Sequence, residues 1–187
     1  PEGEEKLREE IEWILRFRDT DFERNLPVIN RYSLERGNVF YEMKYYNYPN
    51  LRRIILSEMN ARFFIRMRLL YLLELFDSSL WNESNGIDCP ADFVRDEYFT
   101  KFQKRRKAAE EIEPYFEHFY SSSTIQLNGR LYLNAPVLLE ALFADDAVVR
   151  QLTPPRLYIS HGDLHSNNIL CGFGYRNQIL IDCRGKS

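Results

Sequence analysis

The sequence predicts an α+β protein whose helices and strands are segregated along the chain. Three observations carry this. Apolar residues recur at helical spacing over 4–18 and 57–76. Strand-like runs at 27–33 and 38–46 flank the turn-like Glu35-Arg36-Gly37-Asn38. Asn128-Gly129, set between 124–127 and 130–133, is the strongest short hairpin signal in the chain. The regular strand–helix–strand alternation that builds a parallel sheet is not seen.

The elements follow in order. Over 4–18, Leu7, Ile11, Ile14 and Leu15 line one face, with Trp13 and Phe17 at its flanks. The polar stretch 19–25 reads as a loop, and the first hairpin follows it. Tyr48-Pro49-Asn50 ends the second strand, and Asn50 is placed to cap a short helix over 51–56. Over 57–76, Met59, Phe63, Met67, Leu70 and Leu73 fall on one stripe. Phe64, Leu69, Leu72 and Phe76 widen it, which predicts a central, mostly buried helix. Residues 78–90 read as a loop. Residues 92–120 read as a charged helix with a break at Pro114. The second hairpin and a helix over 135–152, ended by Pro154-Pro155, come next. Short strands at 156–160, 169–170 and 178–182 finish the chain.

Composition excludes several classes. The 187 residues are 44% hydrophobic and 14% aromatic, enough for a packed core. Lys and Arg number 25 against 28 Asp and Glu, a balance that argues against a nucleic-acid-binding domain. No segment approaches the roughly 20 apolar residues of a membrane span. The first ten residues are charged and do not read as a signal peptide. Cys89, Cys171 and Cys183 lack metal-ligand spacing and fit free thiols in a reducing, cytoplasmic setting. The 8 glycines form neither GxGxxG nor GxxxxGK[ST]. Nothing in the composition sets an oligomeric state.

The chemistry concentrates in His161-Gly162-Asp163-Leu164-His165-Ser166-Asn167-Asn168-Ile169-Leu170 and Ile179-Leu180-Ile181-Asp182-Cys183-Arg184-Gly185. A polar loop with one Asp and two Asn lies between two short apolar strands, and a second Asp ends a third. Pairing of the last two strands brings Asn168 and Asp182 to the same end. Two converging oxygen donors suit a hard cation such as Mg²⁺. Asp163, set slightly apart, is free to accept a proton from a bound hydroxyl.

This HGDxHxxNIL loop, followed by an apolar-apolar-Asp strand, resembles the aminoglycoside and choline phosphotransferase branch of the protein-kinase-like superfamily. The step from Asp163 to Asn168 matches that of H-R-D-x-x-x-x-N. The resemblance implies a two-lobed kinase-like fold, incomplete in this chain. Residues 1–47 would be the rest of a small lobe and its hinge, and 48–187 a helical large lobe. The Gly-rich-loop strands and the end of the large lobe would lie outside the chain.

The resemblance also implies ATP and Mg²⁺ as cofactors and a small-molecule hydroxyl as acceptor. Asp163 takes the role of catalytic base, His161 that of the histidine bracing the loop, and Asn168 and Asp182 those of metal ligands. Met43, Lys44, Tyr45 and Tyr46 fall where the hinge meets adenine. Met43 would sit at the back of the pocket, and 44–46 would offer backbone groups. The first helix supplies the Glu that pairs with a phosphate-binding Lys. Glu10 is the choice, with Glu5, Glu9 and Glu12 in competition. Gly162 stands where protein kinases carry an Arg, and Cys183-Arg184-Gly185 replaces Phe-Gly. An inactive kinase-like binding module is the alternative. A metallophosphoesterase is disfavoured, because its further GDxxD and GNH[DE] stretches do not follow His165.

Overall fold

The computed structural model describes residues 2–57 and 62–185. The elements are α1 (Glu2–Arg16), β1 (Ile29–Glu35), β2 (Asn38–Met43), α2 (Leu51–Ile55) and α3 (Arg62–Ser79). Then come β3 (Ile87–Asp88), a π-helical turn (Arg95–Thr100), α4 (Lys101–Ile112), α5 (Tyr115–Ser121), β4 (Thr124–Leu127) and β5 (Arg130–Leu133). Last are α6 (Ala135–Ala144), α7 (Asp146–Leu152), β6 (Arg156–Leu157), β7 (Ile169–Cys171) and β8 (Gln178–Leu180). The fold is mixed α+β, and its strands form antiparallel two-stranded ribbons. No helix among the described residues is long and apolar enough to cross a membrane.

The chain forms two compact units, 1–86 with 158–187, and 87–157. The division at 47/48 expected from the sequence is one of lobes, which the compact units neither draw nor replace.

In the first unit, α1 buries Glu10, Ile11, Trp13 and Ile14, and Phe17 just beyond it is buried too. These positions recur at helical spacing, so one stripe faces inward. Trp13, Phe17 and Phe22 pack with ring centroids 4.7 to 6.0 Å apart. The core continues through Leu51, Leu72, Leu75, Phe76, Ile169, Leu180 and Cys183. β1 and β2 pair from Glu35↔Asn38 to Ile29↔Met43, closed by Gly37 at φ +83°. Asn50 caps α2 as expected, its side chain accepting the Arg53 N–H at 2.9 Å.

α3 departs from the expectation of a helix buried on most sides. Its stripe from Arg68 through Leu72, Leu75 and Phe76 is buried, while Phe63, Leu70 and Leu73 face water. Met59 lies outside the described residues. The helix packs on one side only, and Arg68 is part of that side. Arg68 Nη2 donates to the Gly172 carbonyl at 2.7 Å, and Gln178 Nε2 donates back to the Arg68 carbonyl at 3.1 Å. α3 thus grips the turn between β7 and β8. Asn25, 1% exposed, ties the same hairpin to the core: its Nδ2 donates to the Gln178 carbonyl at 2.8 Å, and its Oδ1 accepts the Tyr71 hydroxyl at 2.9 Å.

The second unit is described by itself. β3 and β6 pair through Ile87↔Leu157 and Asp88↔Arg156. The helix expected over 92–120 is broken at Pro114, as the missing N–H requires. The helix expected over 135–152 is two, because the Asp145 side chain accepts the Ala147 N–H at 2.8 Å and caps α7. β4 and β5 turn at Asn128 and Gly129, both at positive φ.

Asn25→Ala leaves a buried carbonyl and a hydroxyl without partners, so unfolding free energy in a urea titration should fall by about 1–3 kcal/mol. An unchanged midpoint and slope would show that Asn25 is not a link between hairpin and core.

Candidate active site

Two backbone segments cross to build the site. Residues 160–163 run against 182–185 so closely that side chains do not fit between them. A Cβ on Gly162 would lie 2.4 Å from the Arg184 carbonyl carbon, and one on Gly185 would lie 1.4 Å from the Ser160 oxygen. The Arg184 N–H donates to the His161 carbonyl at 2.8 Å. Trp13 Nε1 donates to the Ser160 carbonyl at 3.0 Å and fixes the crossing to α1.

His161 is 3% exposed beneath the loop. Its Nδ1 faces the Asp163 N–H at 3.4 Å, and its Nε2 lies 3.3 Å from Cys183 Sγ. With Nδ1 as acceptor, the neutral ring carries its proton on Nε2. Burial disfavours the imidazolium and lowers the pKa, against the opposing pull of Asp163 and Asp182. His161 therefore touches both crossing segments. Burial also pushes the Cys183 thiol up, so it stays protonated.

Asn168, also buried, joins the two acidic residues. Its Nδ2 donates to the Asp163 carbonyl at 3.0 Å and lies 3.5 Å from Asp182 Oδ2. The β7–β8 register places it there: Ile169 pairs with Leu180, and the Ile181 N–H donates to the Asn168 carbonyl at 3.0 Å. Asp182 then leaves the strand at φ 61°, a left-handed conformation that Asp tolerates better than most residues. The Asp163 carboxylate is half-exposed, with His165 Nε2 at 3.9 Å.

Glu10 comes to the same place from α1. It is 8% exposed and accepts the Tyr41 hydroxyl at 2.9 Å, with Asp182 close enough to act on its charge. Burial raises its pKa, and the Tyr41 hydrogen bond opposes the rise. Glu5, Glu9 and Glu12 are exposed. Of the four competing glutamates, only Glu10 reaches the Asp182 loop. Tyr41 was not legible as its partner, because that contact joins β2 to α1 across 31 positions.

The chain matches no known family, curated protein or solved structure.

The hinge residues follow Tyr41 at the end of β2 and just beyond it. Met43 ends β2 opposite Ile29 and is 41% exposed. The Lys44 N–H is spent on the Val28 carbonyl at 2.9 Å, so of its backbone only the carbonyl remains to offer. Tyr45 is 84% exposed, and the Tyr46 hydroxyl accepts the Val28 N–H at 3.1 Å. The segment that follows is stitched to the loop. The Cys171 N–H donates to the Pro49 carbonyl at 2.8 Å, and the Arg52 N–H donates to the Ser166 carbonyl at 3.0 Å.

Asn168 spends its N–H₂ on Asp163 and Asp182, which leaves its amide oxygen for another partner. One amide oxygen beside one carboxylate is the sparse donor set that Mg²⁺ accepts when phosphates and waters complete its shell. Among the described residues, no three His, Cys, Asp or Glu side chains gather as a metal-binding group. The residues present therefore fit a cation shared with a polyphosphate.

His161 gives a pH dependence with a definite sign. Its folded pKa is lowered from 6.5, so below 6.5 the unfolded chain binds the extra proton first. The stability due to the neutral ring is complete above 6.5 and is lost as pH falls through that value toward the folded pKa. Urea midpoints measured across this window should decline in the wild type, and His161→Gln should flatten the decline.

Proposed function

We propose that the chain carries the catalytic and metal-binding loops of a protein-kinase-like phosphotransferase of the aminoglycoside and choline phosphotransferase type. The reaction moves the γ-phosphoryl group of ATP to a hydroxyl of a small molecule. A cytoplasmic setting, where ATP is abundant, goes with this reading. The observation that carries it is the position of the Asn168 amide, bonded to the Asp163 carbonyl at 3.0 Å and 3.5 Å from the Asp182 carboxylate. The buried Glu10 behind Asp182 adds support.

Asp163 orients the acceptor hydroxyl and takes its proton as the oxygen–phosphorus bond forms and ADP departs. The half-exposed carboxylate is open to a substrate from solvent. Asn168 and Asp182 would hold Mg²⁺, which neutralises charge on the nucleotide phosphates when bound. His161 and the glycine crossing keep the base and the metal ligands in one frame. Positioning and electrostatics supply most of the rate in such a reaction.

Asp163→Asn should lower turnover by about 10²–10⁴-fold, the usual range for a lost general base, while Mg²⁺–ATP affinity is retained. The check is a screen of hydroxyl acceptors with ATP and Mg²⁺, followed by kinetics on the accepted compound. Turnover near wild type in Asp163→Asn would remove it as the base. Mg²⁺–ATP binding without transfer to any acceptor would favour the inactive binding module.

A further inference from the structure

Arg184 has no role in the reaction above, yet it holds one of the two proposed metal ligands. Its guanidinium forks onto a single oxygen of Asp182: Nε reaches Oδ1 at 2.7 Å, and Nη2 contacts the same atom. The other oxygen, Oδ2, faces Asn168 at 3.5 Å. The two ends of the Arg184 side chain differ in freedom. Its root is fixed by the backbone bond to His161 and by the Gly162 contact. Its tip is not, since the Arg184 side chain is 39% exposed and that of Asp182 is 31% exposed. Its charge also acts on Glu10 and Asp163. The Asp182 carboxylate thus already carries a cation of the chain's own, on a tether that allows departure into water.

We propose that Arg184 is the resident counter-cation of Asp182, holding Oδ1 when no metal is bound and leaving it when a divalent cation arrives. This rests on the reading of Asp182 as a metal ligand. A guanidinium and a divalent ion held by the two oxygens of one carboxylate stand at contact distance and repel even in water. Free metal must displace the fork without compensation. Metal carried on a polyphosphate brings new oxygens that a guanidinium can grip in the same forked manner. Arg184 therefore disfavours bare metal and favours metal delivered with a phosphate-bearing substrate.

The test is a titration of the chain with Mn²⁺ alone, without nucleotide, followed by calorimetry or by the spin signal of free Mn²⁺. Arg184→Gln should bind Mn²⁺ about tenfold more tightly than wild type, as expected from removing one charge at contact distance. Arg184→Lys, which keeps the charge and loses the fork, should gain less. A structural defect would weaken metal binding, so unchanged or weaker binding in Arg184→Gln overturns the proposal. Asp182→Asn separates the two readings. If it binds Mn²⁺ as wild type does, Asp182 is not a ligand and both readings fall. If it loses Mn²⁺ while Arg184→Gln gains nothing, only the role of Arg184 falls. Absence of Mn²⁺ binding in both wild type and Arg184→Gln overturns both.

Discussion

The site depends on the contact between two stretches of backbone, 160–163 and 182–185. Strands or loops that pass with ordinary side chains between them cannot exchange backbone hydrogen bonds at this distance. Gly162 and Gly185 remove the obstruction, and the Arg184 N–H then reaches the His161 carbonyl. Gly162 also takes φ +83°, a conformation open to glycine at no steric cost. Asp163 and Asp182 lie on either side of this crossing. Any change that separates the two backbones separates the two carboxylates as well.

Charge is concentrated around the crossing at a cost that the neighbours offset. Glu10 is buried, and a buried carboxylate is unfavourable unless its oxygens are satisfied. The Tyr41 hydroxyl supplies one such bond, and the Arg184 guanidinium lies close enough to act on it. The neutral His161 ring beneath the loop adds no charge of its own. It fills an apolar place against Trp13, with ring centroids 5.9 Å apart.

The candidate site was more legible in the sequence than the packing around it. Asp163, Asn168 and Asp182 sit on short local segments whose spacing translates directly into a loop and a hairpin. Glu10 was preferred over Glu5, Glu9 and Glu12, but a firm choice among them needs the helix face that the core will cover. Ile11, Ile14 and Phe17 mark the covered stripe, and it includes position 10. α3 misled for a related reason. A broad apolar stripe signals burial on all sides only if there is something to cover each side, and pattern alone does not say. Buried Arg68 runs against composition, and its carbonyl partners at Gly172 and Asn177 lie more than 100 positions away. The hinge reading came with the family resemblance, which carries no information on whether the Lys44 N–H is already spent.

The fourteen positions between Asn168 and Asp182 follow from the hairpin rather than from any rule about motifs. β7 and β8 pair in register from Ile169↔Leu180 to Cys171↔Gln178, and Gly172 to Asn177 closes the turn. Side chains alternate along a strand, so a slip of one residue sends every side chain to the other face. Ile169, Cys171 and Leu180 are core residues, and such a slip would expose them. The hydrophobic core therefore fixes the register, and the register fixes which residue stands beside Asn168 where the strands end. The turn itself is held as well: Arg68 Nη2 donates to the Gly172 carbonyl, and Gln178 Nε2 donates to the Tyr175 carbonyl at 2.8 Å. A residue added within either strand would pull Asp182 away from Asn168. The chemistry at the end of the hairpin is thus held in place by burial along its length.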